Sequence, residues 1–227
     1  MTNTSKIDIT LLRSLPLLGS ASEENIQKLA AAASLRTAPS RMILFAEDSR
    51  VDNLFILTRG AVELFSEQGE RRFTISVVQA AHALEVFSIL ADRHPFSARV
   101  LEPSEFVSVP AKLIVELISR DPGLADALAH KLTKVSLQII EDFKKHRLLN
   151  TTARIAHWML HWDSATGSTG QIVIPFDKRV LASYLGMTPE QLSRGFATLV
   201  SAEVTVDGRA VRIGNRATLT RIARREE

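Results

Sequence analysis

Apolar positions recur with a period of two from Arg41 to Val109, in the short runs MILFA, NLFILT, AVELF, FTISVV, SARVL and FVSVP. The turn-forming stretches EDSRVDN, Arg59-Gly60, EQGE and EPSE separate them. Many short strands at about ten-residue intervals predict an antiparallel sandwich or barrel. Ahead of them, residues 9–36 predict two short helices. Leu11, Leu12 and Leu15 precede Pro16, and Ser22 stands as N-cap to a helix with Glu23 and Glu24 in its first turn. Inside the β region, AAHALEVFSILADRHPF is long and helical in composition around Leu84 to Leu90, the kind of interruption that can build a ligand pocket.

After Pro110 the period lengthens to that of a helix. AKLIVELISR comes first, then a run that Asp121 caps and Pro122 starts. It reaches about Leu149 without an interior Pro or Gly beyond its first turn, which predicts a rod of about 40 Å. Leu128, Leu132, Val135 and Ile139 follow the four-three-four spacing of a two-stranded coiled coil, and Asp142 and His146 continue the register. These six residues are the expected dimer seam.

The C-terminal part predicts a helix after Asn150-Thr151-Thr152 with Ile155, Met159 and Trp162 on one side, a Gly/Ser/Thr-rich loop, and a strand QIVIP. In Asp177 to Ser201, DKRVLASYLGMTPEQLSRGFATLVS, two short helices meet at Gly186, a residue suited to a left-handed C-terminal cap. Thr188 as N-cap, Pro189 at the first position and Gln191 three residues on make a capping box. The second helix is expected to bury Leu192, Phe196, Leu199 and Val200 and to expose Glu190, Gln191, Ser193, Arg194 and Ala197. Arg can pair bidentately with guanine, Glu accepts from the cytosine amino group and Ser adapts to either, so Glu190, Ser193 and Arg194 are candidate base readers. Thr188, Gln191, Lys178 and Arg209 complete the expected DNA-facing set. Val204–Val206, an Asp207-Gly208 corner and Ala210–Ile213 predict a hairpin, which makes the whole a winged helix whose Arg209 or Arg212 can touch phosphates.

Composition narrows the chemistry. The 227 residues contain no cysteine, which excludes disulfides, thiol catalysis and any Cys-ligated iron–sulfur cluster. Neither a secretory signal nor an apolar run long enough to span a bilayer is visible, so a cytoplasmic protein with no membrane partner is expected. The net charge of +3 falls in the C-terminal part, where residues 148–227 hold ten basic against seven acidic side chains. The expected fold is α+β in three parts: a sensor domain over 1–120, a dimerisation helix over 121–149 and a winged-helix DNA-binding domain over 150–227. A cupin-like enzyme would need histidines at alternating strand positions, and NLFILT, AVELF and FTISVV contain none. The reading is therefore of a non-enzyme.

This plan, with Asn53–Phe65 as a β-roll stretch turning at Gly60 and Glu190-Gln191-Leu192-Ser193-Arg194 as an E-x-x-S-R helix, resembles the CRP/FNR superfamily of bacterial transcription regulators, in its FNR-like branch. The resemblance implies an N-terminal cyclic-nucleotide-binding-like β-roll, a homodimer, an inverted repeat of TTGAT-like half-sites in a double-stranded DNA promoter, and RNA polymerase as a partner. Leu84, Glu85, Phe96, Ser97 and Arg99 fall where the family's effector pocket would lie. Leu84-Glu85 and Phe96-Ser97 replace the Gly-Glu and Arg-Ser pairs of cyclic-nucleotide receptors, and Ala80-Ala81 replaces Gly-Asp. Without the arginine a buried phosphate lacks its cation, although Arg99 is nearby, and this argues against cyclic AMP. Cysteine-free members resembling the DNR and NnrR regulators suggest nitric-oxide sensing through haem, with His82 or His94 as candidate ligands. His157 and His161 have the spacing of a metal pair but no third ligand nearby. A FixK-type regulator that binds no effector, or a cyclic-nucleotide-responsive one, is the alternative.

Overall fold

A computed structural model describes residues 2–4, 7–69, 71–80 and 82–224. Glu70, Ala81 and Arg225, each part of a stretch read above, lie outside them. In chain order the elements are β1 (Thr2–Thr4), α1 (Ile9–Ser14), α2 (Glu23–Ala32), β2 (Ser34–Ala38), β3 (Ile43–Phe45), β4 (Asn53–Arg59), β5 (Ala61–Gln68), β6 (Arg71–Gln79), β7 (His82–Ala83), β8 (Ser97–Val100) and β9 (Ser104–Pro110). There follow α3 (Ala111–Ile118), α4 (Pro122–Leu148), α5 (Thr151–Ala165), β10 (Gln171–Val173), α6 (Lys178–Tyr184), α7 (Pro189–Ala197), β11 (Val204–Asp207), β12 (Ala210–Ile213) and α8 (Arg216–Arg224). The chain divides into two compact units, Met1–Gln138 and Ile139–Glu227, with the boundary inside α4.

The first unit is a roll of two antiparallel sheets, ordered β1-β2-β9-β4-β7 and β3-β8-β5-β6. Alternation sorts the side chains of β9. Phe106 points between the sheets with Leu57, Val62, Leu64, Ala98 and Val100, while Val107 and Val109 point outward into a second cluster. That second cluster is covered by Leu12, Ile26, Leu29, Ile114, Leu124 and Leu128 of the helices. The expected helix around Leu84–Leu90 is a single 3-10 segment, Val86–Leu90. The helix expected to run to residue 36 ends at Ala32, and the chain enters β2, where Ser34 and Leu35 pair with β9. Pairing with a strand some seventy residues away is a tertiary effect that local composition does not carry.

Asp121 ties this layer together. Its Oδ1 accepts the Leu124 amide at 3.1 Å, the N-terminal cap of α4, and its Oδ2 accepts the Ser22 amide and Asn25 Nδ2, both at 2.8 Å. Ser22 stands at the N-cap of α2 as expected, but its side chain makes no capping bond there. The Asn25 amide above all, then the Ser22 amide, hold the Asp121 carboxyl well below the usual carboxylate range.

The second unit packs α5, α6, α7 and α8 with a three-stranded sheet ordered β10-β12-β11. Ile155, Met159 and Trp162 are all buried in it, as the helical spacing predicts. Trp162 lies 5.5 Å from Trp158 and 5.8 Å from Phe176 between ring centroids.

Replacing Asp121 with Ala should lower the unfolding free energy by about 2–4 kcal/mol in urea denaturation at neutral pH, since three bonds to a buried carboxylate are lost. A group with a depressed folded pKa contributes above its unfolded value and loses that contribution as pH falls through the folded one. The gap between wild type and variant should therefore close in acid. A gap independent of pH would remove the carboxylate from this role.

Candidate nucleic-acid interface and sensor domain

The helix-turn-helix forms from caps that the local sequence supplies. Asp177 accepts the Arg179 amide at 2.8 Å and starts α6. At its end, Met187 N–H reaches Ala182 O and Gly186 N–H reaches Ser183 O, each at 3.0 Å, with Gly186 at φ +64. This is a Schellman closure, which requires a left-handed residue at that position. The turn hands over to α7 through a complete capping box: Thr188 Oγ1 accepts the Gln191 amide at 3.2 Å, and Gln191 Oε1 accepts the Thr188 amide at 2.8 Å.

Leu192, Gly195 and Phe196 are buried on α7, and Glu190, Gln191, Ser193, Arg194 and Ala197 are exposed. Gly195 allows the close approach to α5: a Cβ there would stand 2.3 Å from Ile155 Cδ1. Val200 departs from expectation at 71% exposure. The α-helix ends at Ala197 and the tighter 3-10 turn Thr198–Ala202 rotates Val200 outward while Leu199 stays buried. Glu190 is kept ionised first by its bond with Thr188, and so remains an acceptor for a base amino group.

The expected hairpin is present, and its loop is Gly208-Arg209, because Asp207 already pairs with Ala210. Arg209 sits at the exposed tip, and Lys178 is half-buried in the first turn of α6. Beyond the hairpin lies α8, an element not among those expected from the sequence. Asn215 accepts the Thr218 amide at 3.0 Å, and Leu219 and Ala223, four apart, are buried. A polar N-cap followed by apolar residues at i and i+4 was the available signal. Buried Asp163 ties α8 to the loop before β10, pairing with Arg216 and accepting the Gly170 amide at 2.7 Å.

The six expected seam residues of α4 have different surroundings. Leu128 is buried in the core of its own unit and Leu132 packs against that core. Val135 is half-buried, whereas Ile139 is 62% exposed. Asp142 pairs with Lys145 at 3.1 Å. His146 meets the helix-turn-helix of its own chain, since a Cβ on Gly186 would lie 3.0 Å from its imidazole. The expected stripe is thus partly consumed by intrachain packing. The exposed apolar residues of α4 are Leu137, Ile139, Ile140, Phe143 and Leu148, with Ile139, Ile140 and Phe143 adjacent at helical spacing.

The five expected pocket residues do not converge on one cavity. Leu84 and Phe96 belong to the cluster between the sheets, where Phe96 meets Phe87 edge-on at 5.9 Å. Ser97 Oγ accepts the Glu47 amide at 2.9 Å. Arg99 is occupied by Glu63, whose buried Oε2 accepts from Nε at 3.0 Å and Nη2 at 2.6 Å, while Thr74 donates to Oε1 at 2.7 Å. Glu85, left-handed at φ +49, bonds through Oε2 to His94 Nδ1 at 2.6 Å, and burial pushes its carboxyl pKa up.

The two candidate haem ligands sit in different surroundings. The His94 ring lies flat on Phe45 with centroids 3.9 Å apart, and the recess that both line with Leu84, Glu85 and Ser88 is too narrow for a water molecule. A porphyrin does not fit beside it. His82 is exposed on an edge strand, outside the apolar interior a porphyrin requires. Among the described residues no group of three or more His, Cys, Asp or Glu could hold a metal ion, and no helix is long and apolar enough to cross a membrane.

Residues 35–121 match the cyclic nucleotide-binding domain and residues 153–222 match the Crp-like helix-turn-helix domain. No curated protein sequence matches the chain. Among solved structures, FixK2 from Bradyrhizobium japonicum is 18% identical with a TM-score of 0.76, covering 84% of this chain and 96% of its own. The c-di-GMP responsive global regulator CLP of Xanthomonas campestris is 17% identical with a TM-score of 0.69, covering 85% and 99%. DNR from Pseudomonas aeruginosa is 22% identical with a TM-score of 0.51, covering 96% and 99%. With a cyclic nucleotide-binding domain followed by a Crp-like helix-turn-helix, the chain has the domain composition and the fold of the CRP/FNR superfamily of DNA-binding transcription regulators.

Proposed function

We propose that the protein is a homodimeric transcription regulator that reads an inverted repeat of TTGAT-like half-sites, with Glu190, Ser193 and Arg194 at the base edges and Thr188, Gln191, Lys178 and Arg209 toward the backbone. The observation that carries this reading is the exposed Glu190-Ser193-Arg194 face on a helix whose opposite face, Leu192, Gly195 and Phe196, is buried. An arginine on the first turns of a grooved helix gains a bidentate partner in guanine, while phosphate contacts set only the register.

Dimerisation supplies the second half-site. The apolar face Ile139, Ile140 and Phe143 of α4 supports a seam there, because three adjacent apolar side chains with Phe143 at 66% exposure are costly to leave in water. Two reading helices must then stand about 34 Å apart to enter successive major grooves.

For the sensor domain the geometry supports a regulator without a haem or cyclic-nucleotide effector. Phe96 fills the position of the phosphate-binding arginine, Arg99 is neutralised by Glu63, and Glu85, the residue at the ribose position, is engaged by His94. Each would have to be displaced before an anionic ligand entered. RNA polymerase is the expected partner of such a regulator at a promoter.

Arg194→Ala should weaken binding to an inverted-repeat duplex by about 1–3 kcal/mol and relax selectivity at one guanine per half-site, measured by anisotropy in moderate salt. Unchanged affinity and selectivity would count against the base-reading role. Ile140→Asp combined with Phe143→Asp should give monomers in light scattering, and a persistent dimer would move the seam elsewhere. Protein reconstituted with haem should show no stoichiometric Soret band, and a band that shifts under nitric oxide would overturn the effector reading.

A further inference from the structure

The C-terminal turns of α4, α5 and the helix-turn-helix turn meet in a cluster of titratable groups inside the second unit. His146 stands at its centre. Its Nδ1 accepts from Arg154 Nη1 at 3.4 Å, and its Cε1 and Nδ1 lie at the Gly186 turn, 3.0 Å from where a Cβ would stand. Gly186 is the left-handed residue whose closure sets the angle between α6 and α7. A side chain pressed on that residue bears directly on how the reading helix is presented.

The groups facing His146 make its charge state matter. From α5 comes the Arg154 guanidinium. From α4 itself come Lys145 and Asp142, paired with each other at 3.1 Å. Across the same patch, His157 on α5 faces Lys145, His161 and Asp142, and Tyr184 on α6 faces Asp142. Cations thus predominate around the imidazole, with Asp142 as the opposing charge.

We propose that His146 is a positioning residue for DNA recognition: neutral, it accepts from Arg154 and braces the Gly186 turn, and protonated, it is repelled from that seat and DNA binding weakens. This rests on the regulator reading above and adds a proton-linked control to it. An imidazolium cannot accept from a guanidinium, because both then carry only donors. Burial first, then Arg154, lower the His146 pKa, with Asp142 opposing, as the geometry requires. The sign follows from linkage. A depressed pKa in the seated form means the seat is fully favoured above the free value of 6.5 and is lost as pH falls through the lower seated value. His146 is exposed on one side, so protons reach it without unfolding.

Two readouts test this on the full chain. Amide spectra of wild type and His146→Gln, titrated from about pH 8 to about pH 5, report the seat without DNA. The Gly186 amide should shift with the His146 ring at a midpoint below the free histidine value of about 6.5 in wild type, and should lose that transition in the variant. Anisotropy with an inverted-repeat duplex at constant ionic strength should show wild-type affinity falling about three- to tenfold more than His146→Gln over the same range. His146→Lys, a fixed cation, should bind weakly even at the alkaline end. A Gly186 amide indifferent to His146 titration, or His146→Lys binding like wild type, overturns the proposal. If no variant binds the duplex at any pH, the regulator reading fails, and the Gly186 titration still decides whether His146 braces the turn.

Discussion

Burial of Leu192, Gly195 and Phe196 against the rest of the second unit determines which side of α7 meets solvent. A nine-residue helix is too short to be stable alone, so its orientation comes from that packing and from the caps at its ends. Gly195 is decisive because it removes the Cβ that would strike Ile155, letting α7 seat closely on α5. With that face committed, Glu190, Ser193 and Arg194 have only solvent, or a groove, to face. The capping box at Thr188 and the left-handed Gly186 fix where the helix begins and how the chain enters it. Each of these local choices agrees with the same global arrangement, which is how a short sequence specifies one presentation.

The sensor domain shows the opposite use of the same physics. In a roll that holds a ligand, polar groups are arranged around space. Here the equivalent groups are engaged with one another, Glu85 with His94 and Glu63 with Arg99 and Thr74, and aromatic rings occupy the interval between the sheets. A buried carboxylate is costly unless its oxygens are paired. Glu63 has both oxygens engaged, by Arg99 and by Thr74, whereas Glu85 pairs with His94 through Oε2 alone and its Oε1 is buried without a partner among the described residues. Glu85 holds a left-handed backbone that a side chain rarely adopts, a local cost that its bond to His94 offsets.

The parts legible in the sequence were those written in local chemistry. Asp121-Pro122 marked the start of α4, Thr188-Pro189-x-Gln191 the start of α7, and Gly186 the turn, because each cap is a contact within a few residues. The runs NLFILT, AVELF and FVSVP became β4, β5 and β9 because strand alternation is likewise local. What stayed hidden depends on distant partners. β2 exists through its pairing with β9, Arg99 is neutralised by Glu63 across neighbouring strands, and Leu128 faces its own core although its spacing equally suits a partner helix. A heptad pattern reports that one face of a helix is apolar, and whether that face meets its own domain or a second chain is decided by tertiary packing. His146 illustrates the limit, since nothing in its neighbours along the chain points to Gly186, forty residues on.

The most direct measurement is dimethyl sulfate protection of guanine N7 on a duplex carrying the inverted repeat, since that atom lies in the major groove beside the position a bidentate arginine would take. One guanine in each half-site should be protected, the two separated by about one helical turn, and that protection should be lost when Arg194 is removed. A bound complex in which every guanine N7 remains reactive would contradict it, because the protein would then hold the DNA without placing α7 in the groove.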